Sequence, residues 1–211
     1  MKIIFSAFII IFFLMPYQLL AENYCGDINL GGHRYGPYDY SNPDHRRKYL
    51  PVVEGAHFRK ETQQIIADDV YTLRGIGADL AYTLRSFPNH FLALSAMSKL
   101  SLRVNRAKPR GSSHSVLCFF ERATRFKPDD AMVRSIFGGH LLKIGEFDLA
   151  FEHLTAAAEL DPNNPTFNYN LGLLYFDKKN YVQAKKYANK AYSQGFPLPG
   201  LMNKLKSIGK W

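Results

Sequence analysis

The chain has few of the residues that carry chemistry. Only two of its 211 residues are cysteines, Cys25 and Cys118, which leaves room for one bridge at most. It has seven histidines, but no two stand at metal-ligand spacing on one helical stretch. His33 and His45 fall in turn-rich sequence, and His140 and His153 in separate helical stretches. No glycine-rich loop could cradle a phosphate, because Gly138-Gly139 lies mid-helix. Asp129-Asp130 and Asp161 sit at turns and caps rather than as a working carboxylate pair. His57, three residues after Glu54, is the best single acid/base candidate, and it reads more simply as a histidine satisfying a helix start. Ser112-Ser113-His114-Ser115 reads as a helix cap. These absences leave no catalytic residue, metal ligand or cofactor site to assign, and the expectation is a non-enzyme.

Long apolar runs are also scarce, and the one present is N-terminal. Met1-Lys2 gives a positive end, Ile3 to Met15 is apolar, and Leu19-Leu20-Ala21 puts a small residue before Glu22. That is the pattern of a secretory signal peptide, residues 1–21, cleaved after Ala21. The rival is an uncleaved membrane anchor over Ile3 to Leu20, although Pro16 and Gln18 shorten its apolar core. The expected location is therefore exported, in the periplasm. In an oxidising compartment an even cysteine count favours a Cys25–Cys118 disulfide. Closing that loop of about 93 residues would stabilise by roughly 4–5 kcal/mol. The alternative is a buried thiol at Cys118 and an exposed one at Cys25.

Acidic residues are outnumbered, and the formal charge is +9. An exported cation meets lipid head groups, glycans and acidic proteins rather than nucleic acid. The basic residues look spread, over His45 to Lys48, Arg103 to Arg110 and Lys178 to Lys190, as on a solvated surface.

What is present is a repeat. Ala131 to Pro162 and the block from Pro165 to Phe196 superpose at a shift of 34 residues. Phe137-Gly138 falls on Leu171-Gly172, Leu141 on Tyr175, Phe147 on Tyr181, Ala150 on Ala184, Leu154 on Ala188 and Ala157 on Ala191. Gly138 and Gly172 would let the second helix of each pair approach closely, and the larger residues would fill the space between helices. Asp161-Pro162-Asn163-Asn164 ends one pair and starts the next. The pattern resembles the tetratricopeptide repeat, a helix–turn–helix unit of 34 residues.

The punctuation at Phe87-Pro88-Asn89-His90 recurs at Phe126 to Asp130 and at Leu160 to Asn163. Residues 91–130 are thus a divergent repeat, followed by repeats at 131–164 and 165–196. Its helices, Phe91 to Val104 and His114 to Arg125, are joined by a basic loop read as exposed and mobile. Residues 58–90 hold divergent helices, Lys60 to Asp69 and Ala78 to Phe87, with a break at Gly75-Ile76-Gly77. Residues 22–57 form an arm read as irregular through Val53, because Gly31-Gly32, Gly36-Pro37 and Asn42-Pro43 punctuate it; its tyrosines (24, 35, 38, 40, 49) should pack on the helical body. Residues 198–211 form a capping helix with Leu198, Leu201, Met202, Leu205 and Ile208 on its inner stripe.

The fold class expected is all-α: a helix-hairpin solenoid of about three repeats with a C-terminal cap and an irregular N-terminal arm. Cys25-Gly26-Asp27, Tyr35 to Tyr40, Val53 to Phe58 and Phe87 to His90 resemble small exported bacterial tetratricopeptide repeat proteins, with a cysteine before a Phe-rich helix as at Cys118. That resemblance implies an envelope location and no activity. Repeat domains of this kind generally bind on the concave face, so the resemblance implies a groove lined by Met132, Ser135, Gly139, Leu142, Lys143, Thr166, Tyr169, Leu173 and Phe176. Such a groove, apolar and aromatic with one lysine, suits an extended or helical segment of a partner protein. The runner-up function is a basic protein binding an envelope polyanion or glycan. An enzyme with a site between arm and repeats comes last.

Overall fold

The computed structural model describes residues 25–28 and 35–211. The leader reading and Tyr24 lie outside the described residues. The helices are α1 Pro43–His57, α2 Lys60–Gln64, α3 Val70–Ser86, α4 Phe91–Val104, α5 Val116–Phe126, α6 Ala131–Ile144, α7 Phe147–Leu160, α8 Pro165–Asp177, α9 Tyr181–Ser193 and α10 Gly200–Ser207. Among the described residues there is no strand.

Helix starts follow local chemistry. Asp130 caps α6 by accepting from the Val133 amide at 3.1 Å, and Asn164 caps α8 ahead of Pro165. Gly145, at φ 86°, ends α6 in the left-handed region where a side chain would be strained. Hairpins α6–α7 and α8–α9 then form as the repeat predicts, with α7 against α8. The first helices α4, α6 and α8 stand side by side, and α10 closes over α8 and α9.

The repeat positions explain the packing. Ala150, Leu154, Ala157, Ala184, Ala188 and Ala191 are all fully buried. A side chain at Gly138 would begin 2.5 Å from Leu154 Cγ and 3.2 Å from the Ala150 carbonyl, so the α6–α7 approach requires glycine. At Gly172 the tight neighbour is the Leu201 side chain of α10, at 2.6 Å, while α9 backbone stands at 3.4 Å. Phe147 does not fill the interhelical space as its repeat partner suggests; it is 45% exposed.

Four expectations need correction. Asn42-Pro43 does not break structure but starts it: Asn42 accepts from the Asp44 amide, Pro43 takes the first turn, and α1 runs for 15 residues through the supposed arm. Gly75-Ile76-Gly77 does not interrupt α3, which continues across it. Gly77 is instead where the backbone at Arg110 lies against the helix, with Gly111 against Arg74 in return, and a Cβ at either would clash. The loop before α5 is exposed at most positions, as expected, yet it is anchored: Pro109 and Ser112 are buried, and the Val116 amide donates to the Ala107 carbonyl at 2.9 Å. Finally, α10 is shorter than 198–211. Leu201 and Leu205 are buried, whereas Leu198 and Ile208 stay largely exposed.

The N-terminal segment is held by Asn89 and His90. Asn89, fully buried, accepts from the Tyr40 amide and donates to Asp39 and Asp130 at 2.8, 2.8 and 3.1 Å. His90 pairs with Glu54 of α1 at 2.9 Å and lies under the Tyr40 ring. Tyr38 stacks on Tyr49 at 3.9 Å. Farther back, Cys25 and Cys118 form a disulfide with their Cα atoms 5.1 Å apart. Arg122 donates to the Cys25 and Asp27 carbonyls, and Arg125 donates to the Gly26 carbonyl.

Candidate functional site: a cleft across the first helices

The α4, α6 and α8 helices present one face together, and that face is concave. It encloses a cleft of about 430 Å³, within the usual span of ligand-binding sites. Of the expected lining residues, Met132, Ser135, Gly139, Leu142, Lys143, Thr166 and Leu173 are brought together there. Tyr169 and Phe176 lie outside it. Tyr169 stacks on Phe196 at 3.9 Å, and Phe176 meets Tyr181 edge-on with the Lys204 ammonium over its ring. Both rings belong to the packing beneath α10.

The sequence reading missed one whole wall. Ser95, Ser98 and Lys99 of α4 complete the cleft, with Asn170, Asp177 and Lys204 at its other side. The signal was available: α4 and α6 start at Phe91 and Ala131, so Ser95 and Lys99 stand where Ser135 and Gly139 do one hairpin later.

The floor is set by internal hydrogen bonds. Asn170 Nδ2 donates to the buried Ser135 hydroxyl at 3.1 Å. The buried His140 shares a 2.9 Å hydrogen bond with Ser98. Burial, reinforced by Lys143, pushes the His140 imidazole down to about 4, so it is neutral and works as a floor group. The rim carries three ammonium groups, Lys99, Lys143 and Lys204, against one carboxylate, Asp177, all exposed. The expectation of one lysine among aromatic groups is therefore corrected to a polar, cationic rim around Met132, Ile136, Leu142 and Leu173.

This arrangement suits binding by shape and charge. His57 pairs with Asp79 at 2.8 Å under Tyr82, away from the cleft, while Glu54 goes to His90. Among the described residues no three His, Cys, Asp or Glu side chains gather as a metal site. Among them, too, no helix is long and apolar enough to cross a membrane.

Comparison with known proteins gives the same architecture. Residues 140–179 match a family model described as TPR repeat, and residues 165–194 match one described as tetratricopeptide repeat. The anaphase-promoting complex subunit CDC16 of Saccharomyces cerevisiae is 30% identical over 81 residues, which cover 38% of this chain and 10% of that protein. Stress-induced-phosphoprotein 1 of Caenorhabditis elegans is 33% identical over 67 residues, covering 32% of this chain and 21% of its own length. The chain thus spans only a small part of these curated relatives. The solved structure of Pseudomonas aeruginosa pilF has the same fold, with a TM-score of 0.54 at 20% identity, over 79% of this chain and 70% of that one. The described residues thus form an all-α helix-hairpin fold whose residues 140–194 match tetratricopeptide repeats, a repeat type that generally mediates protein–protein contact and is typically a non-enzymatic scaffold.

Proposed function

We propose that this chain is a non-enzymatic interaction module that holds a segment of a partner protein of the cell envelope in the cleft across α4, α6 and α8. The carrying observation is the cleft: three successive first helices line one concavity, with Met132, Ile136, Leu142 and Leu173 as its apolar patches and three lysines at its rim. An extended or helical peptide fits such a cleft by placing apolar side chains on those patches, and the rim favours acidic residues beside them. The envelope assignment rests on the leader pattern of residues 1–21.

Gly139 supplies the test. It lines the cleft, and a Cβ added there would meet nothing within 4 Å. Gly139→Phe should fill the cleft from inside a helix without straining it, and the loss of a mid-helix glycine should leave the melting temperature equal or higher. Crosslinking in intact cells followed by capture of the chain should recover a partner with the wild type and lose it with Gly139→Phe. Recovery of the same proteins by both would reject the cleft as the binding site.

A further inference from the structure

The charge of this protein is confined to one end. From Lys178 to Trp211 there are eight lysines and no arginine, aspartate or glutamate. Lys2 aside, the remaining 18 basic and 18 acidic side chains cancel. The net positive charge beyond the leader therefore belongs to α9, α10 and their flanks, not to a general solvated surface.

The fold gathers part of this charge on one face. Lys178, Lys179, Lys185, Lys186 and Lys210 surround a shallow hollow of about 870 Å³ at the outer side of α9. Among the described residues, only Lys178 of these is ion-paired, to the exposed Asp148 at 2.8 Å. Val182 sits in the hollow at 80% exposure, one turn before Lys185 and Lys186. Lys185 places its ammonium 5.9 Å from the Trp211 ring. This face is remote in kind from the cleft: it lies on a second helix, and an apolar group, Val182, stands exposed among cations.

We propose that this face docks the protein on an anionic phospholipid surface. Charge complementarity supplies the attraction, because each lysine near a negatively charged leaflet adds to binding. The apolar component selects lipid over other polyanions. An exposed valine can enter the head-group boundary, with the half-buried Trp211 indole at its edge, while a polysaccharide or nucleic acid gains nothing from Val182. The long lysine stems reach the head groups while their methylenes lie on the apolar boundary.

Trp211 is the single tryptophan; it lies beside Lys185, half-buried against Tyr192, and so reports on this end of the fold, whatever residues 1–21 do in a bilayer. The full chain is titrated with vesicles of phosphatidylcholine, with and without phosphatidylglycerol, and indole emission is followed. A blue shift is expected with the anionic vesicles only, reversed at about 1 M salt, where charges act over roughly 3 Å. Lys186→Glu with Lys210→Glu, both exposed, should raise the lipid needed by about tenfold or more. Val182→Ser should raise it by a few-fold while leaving any response to heparin unchanged. The proposal is overturned if anionic vesicles give no shift, or if the charge-reversed chain with native circular dichroism responds like wild type. It is equally overturned if heparin reproduces the shift and Val182→Ser alters neither response, since the face would then read charge alone.

Discussion

Single residues decide how closely the helices approach. Gly138 and Gly172 are equivalent in the repeat but not in their surroundings. A Cβ at Gly138 would press on Leu154 Cγ and the Ala150 carbonyl, which cannot move without shifting α7. At Gly172 it would press first on the end of the Leu201 side chain, which can turn away. Gly138→Ala should therefore cost more than Gly172→Ala, by about 1–3 kcal/mol, as in overpacked cores. Lys186→Ala, on the exposed face of α9, should fall within about 0.5 kcal/mol of wild type. Thermal melts of the three variants check the order, and equal melting for Gly138→Ala and Lys186→Ala would remove the close-approach account.

At the scale of elements, the N-terminal helix and the segment before it are held by different devices, and each can be cut separately. Residues 25–27 are tied to α5 by the disulfide, Arg122 and Arg125. The turn that leads into α1 is tied to the body by Asn89, through Tyr40 and Asp39, and α1 itself by the His90–Glu54 pair. Reduction should lower stability by up to roughly 4–5 kcal/mol on the chain-entropy account and admit protease before Pro43, while α1 stays protected. Asn89→Ala leaves buried partners unsatisfied, at about 1–3 kcal/mol each, and should expose Pro43–His57 with the bridge intact. If reduction alone opens α1 as fast as Asn89→Ala does, the two anchors are one. The hairpins α6–α9 were legible because a 34-residue period repeats both glycine and alanine positions. Helix α1 was not, because its start signal, Asn42 before Pro43, is the same dipeptide that marks a turn. The continuity of α3 was hidden for a related reason: Gly77 weakens the helix locally, and only tertiary contact with the Arg110 backbone explains its presence. The cleft was half legible. Its α6 and α8 walls follow from the period, but the α4 wall belongs to the divergent hairpin, and Tyr169 and Phe176 are drawn away by α10, which no repeat position announces.

For the whole molecule, stability should depend on pH through two imidazoles between helices, His140 buried and His153 half-buried. His140 bonds to Ser98 of α4 and lies 5.5 Å from the Phe120 ring of α5, so it joins two hairpins. His153 lies 4.1 Å from the Phe137 ring, with the Arg134 guanidinium 3.4 Å from its Nδ1. Burial, then Lys143 for His140 and Arg134 for His153, pushes each down to about 4. The sign follows from proton binding. Between about 6.5 and 4 the unfolded chain takes up protons on these imidazoles and the folded chain does not, so stability falls as pH falls through that window. Above the window both states hold neutral imidazole, and the slope from these groups vanishes. For His140, which is 4% exposed, the loss by pH 4 is on the order of 3 kcal/mol at most. His140→Gln keeps a hydrogen-bonding group for Ser98 and removes the titration. Thermal melts at pH 7 and at about pH 4.5 should show a larger drop for wild type than for His140→Gln. Most carboxylate effects are common to both proteins, so the difference between the two drops isolates the imidazole. Equal drops would mean that His140 is protonated in the folded chain at no cost, and its place as a neutral floor group joining the hairpins would have to be abandoned.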